Sequence, residues 1–171
     1  MNMIALRKAE ASDLSFLMNL RRETMRAVVE NHYPWNEDHQ EDRVLVDFEH
    51  AKIILWNEVS IGLWKTVRRR DHIELVQIQV LPSYQRKGIG RALISGLQEE
   101  AQHEGSMITL HVFRSNPAIN LYSRLGFQVA QVDDHSFMMQ WKPVHGTNPE
   151  SDAAYIGGKL PPFSMSIDAR R

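Results

Sequence analysis

The stretch from residue 72 to residue 104 limits the fold more than any other. His72 to Leu81 carries Ile73, Leu75, Val76, Ile78, Val80 and Leu81 with few breakers, and it predicts a strand. Pro82 ends that strand, because proline cannot donate to a ladder. A loop holding Gly88 and Gly90 follows. Ile89, Leu93, Ile94, Leu97 and Ala101 then give one apolar face to a helix from about Gly88 to Glu104, and Gly105 stops it. The first amides of such a helix have no internal partner, and the helix dipole puts partial positive charge there. Arg86, Lys87 and Arg91 add formal charge. Both glycines remove side chains where a ligand would touch backbone. Together these features make an anion site suited to a pyrophosphate. The spacing is neither a Walker A loop nor a dinucleotide fingerprint.

The flanking elements frame this unit. Met3 to Arg7 reads as a strand, and Ser12-Asp13 as the cap of a helix carrying Leu14, Leu17, Met18 and Met25. Pro34 breaks that helix, and the acidic run Trp35 to Arg43 opens a second one reaching about Glu49. Ile53–Trp56 and Ser60–Val67 form a hairpin about Asn57-Glu58. The basic run Arg68-Arg69-Arg70 reads as a solvated turn. Met107–Phe113 is a strand, Asn116–Leu125 a short helix, and Phe127–Val132 with Phe137–Trp141 a closing hairpin. The fold class is α/β (α+β): a mixed, mainly antiparallel sheet with helices on both faces.

Length and composition narrow the function. At 171 residues the chain is one domain, here taken as residues 1–142, with residues 143–171 as a Pro- and Gly-containing appendage. That tail is expected to be loosely packed, or to wrap a neighbouring surface and pair two copies in a homodimer. With 20 basic and 21 acidic residues the net charge is −1, which argues against a protein that coats nucleic acid. There is no cysteine, so a disulfide, a thiolate metal site and a cysteine nucleophile are excluded. The eight histidines are scattered, and no metal is expected. No run approaches a membrane span or a signal peptide, so a cytoplasmic location away from membranes is expected.

A second motif sharpens the first. Asn116-Pro117-Ala118, Leu121-Tyr122 and Gly126-Phe127 follow the strand after the long helix. With Val80-x-Pro82 and Gln85-Arg86-Lys87-Gly88-Ile89-Gly90 ahead of them, the pair resembles the GNAT superfamily of acetyl-CoA-dependent N-acetyltransferases. The element order from about Met3 to Lys142 is similar as well. The resemblance implies an enzyme that moves the acetyl group of acetyl-CoA to a primary amine by direct attack. The strand before Pro82 would splay from its neighbour at a bulge near Val80. The backbone of Ile78, Val80, Leu81 and Pro82 would hold the pantetheine arm and the acetyl carbonyl. The amides of Gln85, Arg86, Lys87, Gly88, Ile89, Gly90 and Arg91 would cradle the pyrophosphate. Asn116 and Ala118 would meet the pantetheine, and Tyr122 the thioester sulfur as general acid. Gln85 departs from the commoner arginine of the family.

The base and the acceptor are less defined. Glu74 lies on the same strand face as Ile78 and Val80 by a period of two, and it is the leading base candidate. Its alternative is a strand-end carboxylate paired with an arginine. His72 is a lesser candidate, and His111, on the next strand, reads more readily as a satisfied sheet residue. Glu23, Trp35 and the acids of residues 36–42 form an acidic rim, which would suit a small cationic amine by charge and cation–π attraction. A protein or peptide amine, or a non-catalytic acyl-CoA-binding module, are the rival readings.

Overall fold

The computed structural model describes residues 3–144. The tail beyond residue 144, with its expected packing and pairing, lies outside the described residues.

Seven strands form one sheet in the order β1-β2-β3-β4-β5-β7-β6. They are β1 (Ile4–Lys8), β2 (Ala51–Trp56), β3 (Val59–Arg68), β4 (His72–Val80), β5 (Met107–Phe113), β6 (Gln128–Val132) and β7 (Ser136–Trp141). The helices are α1 (Leu14–Glu30), α2 (Glu37–Leu45), α3 (Ile89–Glu104) and α4 (Ile119–Arg124). Only β4 and β5 pair in parallel, with α3 as their crossover; every other neighbour pair is antiparallel.

Each sheet face has its own core. Ile73, Leu75, Ile108, Leu110, Val112 and Met139 pack with Ile89, Ile94, Leu97 and Ala101 of α3 and Tyr122 of α4. On the other face Ile53, Leu63 and Ala51 pack with Leu17, Met18 and Leu20 of α1 and Val44 of α2.

Several local expectations change. Asp13 does not cap α1; its carboxylate accepts from the Glu10 amide and takes both guanidinium nitrogens of Arg7, tying β1 to the helix start. The cap of α2 is Asn36, whose Oδ1 accepts from His39 N at 3.0 Å, and the helix stops at Leu45 rather than near Glu49. The basic turn is not simply solvated. Arg68 forks onto Glu100 and Glu104 of α3, and Arg69 bridges Asp47 and Glu74. Those contacts bind the tip of the β3–β4 hairpin to both layers.

A lysine sits inside the α2 side. Lys65 of β3 is fully buried and its Nζ donates to the carbonyls of Val44 and Val46 at 2.9 and 2.5 Å. Those are carbonyls at the C-terminal end of α2, where a cation also meets the negative end of the helix dipole. Burial lowers the ammonium pKa to about 8. Nearby, buried Arg21 donates to Gln40 Oε1 at 2.8 Å, and burial lowers its pKa to about 10. Two buried cations therefore fix α2 against α1 and β3.

Candidate functional site

The site begins where two parallel strands stop pairing. The β4–β5 ladder runs from His72↔Met107 to Leu75↔Leu110 and ends there. Beyond it β4 stays with β3 as far as Val80↔Gly62, while β5 stays with β7. The sheet therefore opens into a gap. The splay expected near Val80 starts five positions earlier than that residue, and the bulge lies there too: Thr66 faces Leu75 but Lys65 faces Gln77, which leaves Val76 as the extra residue.

That bulge overturns the face assigned to Glu74. An extra residue shifts the period of two by one. Ile73 and Leu75 pack on the α3 side before the bulge, and Ile78 and Val80 pack on it after. Glu74 therefore faces the α1–α2 side, opposite Ile78 and Val80. Its Oε2 accepts from Arg69 Nε at 2.8 Å, so the arginine pairing describes its present state. Gln77, beyond the bulge, donates to Arg43 O at the end of α2.

Ile78 and Val80 line the gap by their backbones. Leu81 N donates to Ile61 O at 2.8 Å, so the main chain of Leu81 turns toward β3. Backbone direction alternates along an antiparallel strand, which turns the N–H and C=O of Val80 and Ile78 away from β3 and into the gap. The Val80 carbonyl accepts from Gln85 Nε2 at 2.9 Å.

Pro82–Tyr84 make one 3-10 turn, and the Gln85 amide donates back to Pro82 O at 3.2 Å. The Gln85 amide is thus already used, a correction to its place among the cradling amides. Arg86 has φ +58° and Gly88 φ +79°, so the loop passes twice through the left-handed region and bends its amides toward the start of α3. No side chain caps that helix. Arg86, Lys87 and Arg91 are exposed around it, whereas Ile89 is buried in the core and offers only its main chain. The two glycines have different reasons. A Cβ on Gly88 would meet nothing within 4 Å, leaving open space above the loop, as a ligand cradle requires. A Cβ on Gly90 would stand 3.3 Å from Leu121 and 3.7 Å from Ile78, so the missing side chain of Gly90 also serves packing of α3 against α4 and β4.

Tyr122 is buried on the α3 side of the sheet, its ring centroid 6.0 Å from that of Phe127. Burial pushes its phenol up to about 12, so it keeps its proton at neutral pH. Asn116 Oδ1 accepts from Ala118 N at 2.9 Å and shapes the turn into α4.

On the α1–α2 side the residue at the opening is His111. Ile108, Leu110 and Val112 point to the α3 core, so Thr109, His111 and Phe113 point the other way. His111 is the first residue of β5 past the last β4–β5 pair, and it lines a small cavity with Gln131, Val132, Asp133 and Met138. Burial pushes its imidazole below the ordinary range, against the opposing pull of Glu74 and Asp133. It is therefore neutral at pH 7. Asp133 is held ionised by the Ser136 hydroxyl and by the amides of His135 and Ser136. Beside the cavity, His32 stacks on Phe113 with ring centroids 5.1 Å apart, and Tyr33 meets His135 at 4.8 Å. The end of α1 is thereby closed against the β6–β7 turn. The strand alternation in the sequence already separates His111 from the core; its position at the opening depends on where the ladder ends.

Two acids of the rim are paired with cations of α1. Glu37 accepts from Arg22 and from Trp35 Nε1, and Arg22 is the main cause holding its carboxyl below the usual range. Arg26 lies 5.9 Å from the Trp35 ring centroid and pairs with Glu30. Trp35 thus already has a cation against its ring. Glu23 is exposed on α1. Among the described residues no group of three or more His, Asp or Glu could hold a metal ion, and no helix is long and apolar enough to cross a membrane.

The comparisons agree with this geometry. The profile described as "Acetyltransferase (GNAT) family" matches residues 14–127. An N-alpha-acetyltransferase of Sulfurisphaera tokodaii is 34% identical over 87 residues, which is 49% of this chain and 51% of the relative. A [ribosomal protein bS18]-alanine N-acetyltransferase of Escherichia coli is 44% identical over 64 residues, 36% of this chain and 43% of the relative. The chain thus spans about half the length of the relatives it matches by sequence. The crystal structure of the E. coli ribosomal-protein-S18-alanine N-acetyltransferase superposes with TM-score 0.61 at 26% identity, covering 85% of this chain and 98% of that one. That of a Thermoplasma acidophilum PaiA N-acetyltransferase, in complex with coenzyme A, gives TM-score 0.67 at 22% identity, covering 82% and 99%. With a splayed β4–β5 pair, an uncapped helix behind a left-handed loop, and a profile match across both, the chain belongs to the GNAT acetyltransferase family.

Proposed function

We propose that the chain transfers the acetyl group of acetyl-CoA to the α-amine of a peptide or protein by direct attack. The observation that carries the reading is the gap itself. It offers two unpaired backbone edges to an extended arm, and an anion-binding helix start lies at one end. The pyrophosphate fits the amides from Arg86 to Arg91, above the open space at Gly88. The pantetheine fits the turned-out main chain of Ile78 and Val80, and the Val80 amide is the candidate donor to the acetyl oxygen.

The acid and the base act from opposite faces. The amine approaches from the α1–α2 side, where neutral His111 takes its proton. The nitrogen lone pair bonds to the acetyl carbon, and collapse of the tetrahedral adduct breaks the C–S bond. Tyr122, protonated at neutral pH, gives its proton to the departing thiolate from the α3 side. Glu74, engaged with Arg69, tunes His111 by its charge and is the second candidate base.

A peptide α-amine is preferred to a small polycation on two grounds. The rim carboxylates Glu37 and Glu30, beside Trp35, are already paired with Arg22 and Arg26. The relatives matched by sequence bear the names of N-alpha and ribosomal-protein-alanine acetyltransferases. The test is release of CoA thiol from acetyl-CoA across peptides with free N-termini, N-blocked lysine peptides and polyamines. The chain has no thiol of its own, so a thiol reagent reads product alone. Turnover with free N-termini but not with N-blocked peptides supports the reading. Turnover with polyamines alone restores the small cationic acceptor, and acetyl-CoA binding without turnover on any amine favours a binding module.

A further inference from the structure

We propose that the Gln85 side chain is a latch on the pantetheine site, displaced when acetyl-CoA binds; the inference rests on the reading that acetyl-CoA occupies the β4–β5 gap. Val80 is the last residue of β4, and its carbonyl turns into the gap, where β5 no longer pairs. Gln85 Nε2 donates to that carbonyl at 2.9 Å. The carboxamide therefore makes the contact that an amide N–H of an arriving pantetheine arm would make. Both donors must come from the open side, because β3 covers the other edge of β4.

Little else holds the side chain there. Gln85 is exposed, and its main-chain amide is spent on Pro82 O. A glutamine at this place can donate to a carbonyl and be released to water when another donor arrives, at the cost of one net hydrogen bond. Gln85 stands at the head of the Arg86–Gly88 loop. While Gln85 is latched, the loop is tethered to the end of β4. When the arm takes the Val80 carbonyl, the carboxamide is freed at the entrance to the pyrophosphate cradle. Gln85 is thus a positioning residue that opposes binding of the arm and leaves the nucleotide end alone.

The experiment compares two ligands by calorimetry on the full chain: acetyl-CoA, and adenosine 3′-phosphate 5′-diphosphate, which lacks the pantetheine arm. Gln85→Ala should bind acetyl-CoA about threefold to tenfold tighter, the weight of one net hydrogen bond no longer broken. Its affinity for the truncated nucleotide should not change. Gln85→Met, which keeps the length and carries neither a donor nor a charge, should also bind acetyl-CoA tighter than the wild type. Unchanged or weaker acetyl-CoA binding by Gln85→Ala would overturn the latch and make Gln85 a ligand contact. Equal tightening of both ligands would overturn it as well, since the effect would then belong to the loop. If the wild type bound no acetyl-CoA, the functional reading would fall and the latch with it.

Discussion

The two faces of the sheet differ in how their chemistry is assembled. On the α3 side, β4, its loop and α3 are continuous in sequence, from residue 72 to residue 104. On the α1–α2 side, His111, Glu74, Asp133 and the rings of His32 and Tyr33 come from four separate stretches of chain. One face is built to bind a ligand by main-chain geometry, which a short motif can encode. The other is built from side chains whose charges first answer one another. The contrast suggests that the cofactor half should tolerate changes of side chain but not of backbone, and the acceptor half the reverse.

The largest expected effect is on backbone approach between β3 and the end of β4. A Cβ on Gly62 would stand 2.2 Å from the Gln79 carbonyl oxygen, which is main chain and cannot swing away. Gly62→Ala should cost about 3 kcal/mol or more and lower the melting temperature sharply. A melting temperature within a few degrees of wild type would show that β3 and β4 can part there freely.

Next comes the buried lysine of the acceptor half. Folding lowers the Lys65 pKa from 10.5 to about 8. Between those values the unfolded chain binds more protons than the folded one, so this group makes stability rise with pH across that window. Below about pH 8 both states are protonated and the penalty is fully present. The gain from pH 8 to pH 10.5 is on the order of 2–3 kcal/mol. Unfolding by urea at several pH values should therefore show a rise in wild type that Lys65→Met lacks. Parallel curves for the two would mean the ammonium is not desolvated.

A smaller effect separates the two base candidates. His111→Gln should lower kcat/KM by about tenfold to a hundredfold at pH 7, a loss typical of general base catalysis at its lower end. Glu74→Gln should change it by less than about threefold, because that carboxylate is held by Arg69. The opposite ranking would return the base to Glu74. The smallest effect tests the glycines of the cofactor half. Gly90→Ala should cost about 1 kcal/mol through its 3.3 Å contact with Leu121 and leave acetyl-CoA affinity nearly unchanged.

Much of the fold was legible. The strand at Met107–Phe113 falls on the expected bounds, and α3 begins one residue late, because the apolar periods there are long and the glycines punctuate them. The cofactor motif was legible for the same reason. What was not legible depends on register. Val76 looks like any strand valine, yet as a bulged residue it moves Glu74 to the other face. Lys65 reads as a surface lysine until α2 ends over it. Trp35 and Glu37 read as a receptive rim until Arg26 and Arg22 are seen beside them, and those arginines are on the preceding helix. Pairings between elements carry no local signature, so the acceptor half becomes readable only once the elements are in place.

The most direct test of transfer across the gap is kcat for thiol release from acetyl-CoA with a saturating peptide amine, in wild type and Tyr122→Phe. The variant keeps the buried ring beside Phe127 and removes only the proton donor. A fall in kcat of about a hundredfold or more, with KM for acetyl-CoA within about threefold, is the predicted result. An unchanged kcat would contradict it, and Tyr122 would then be a core residue alone.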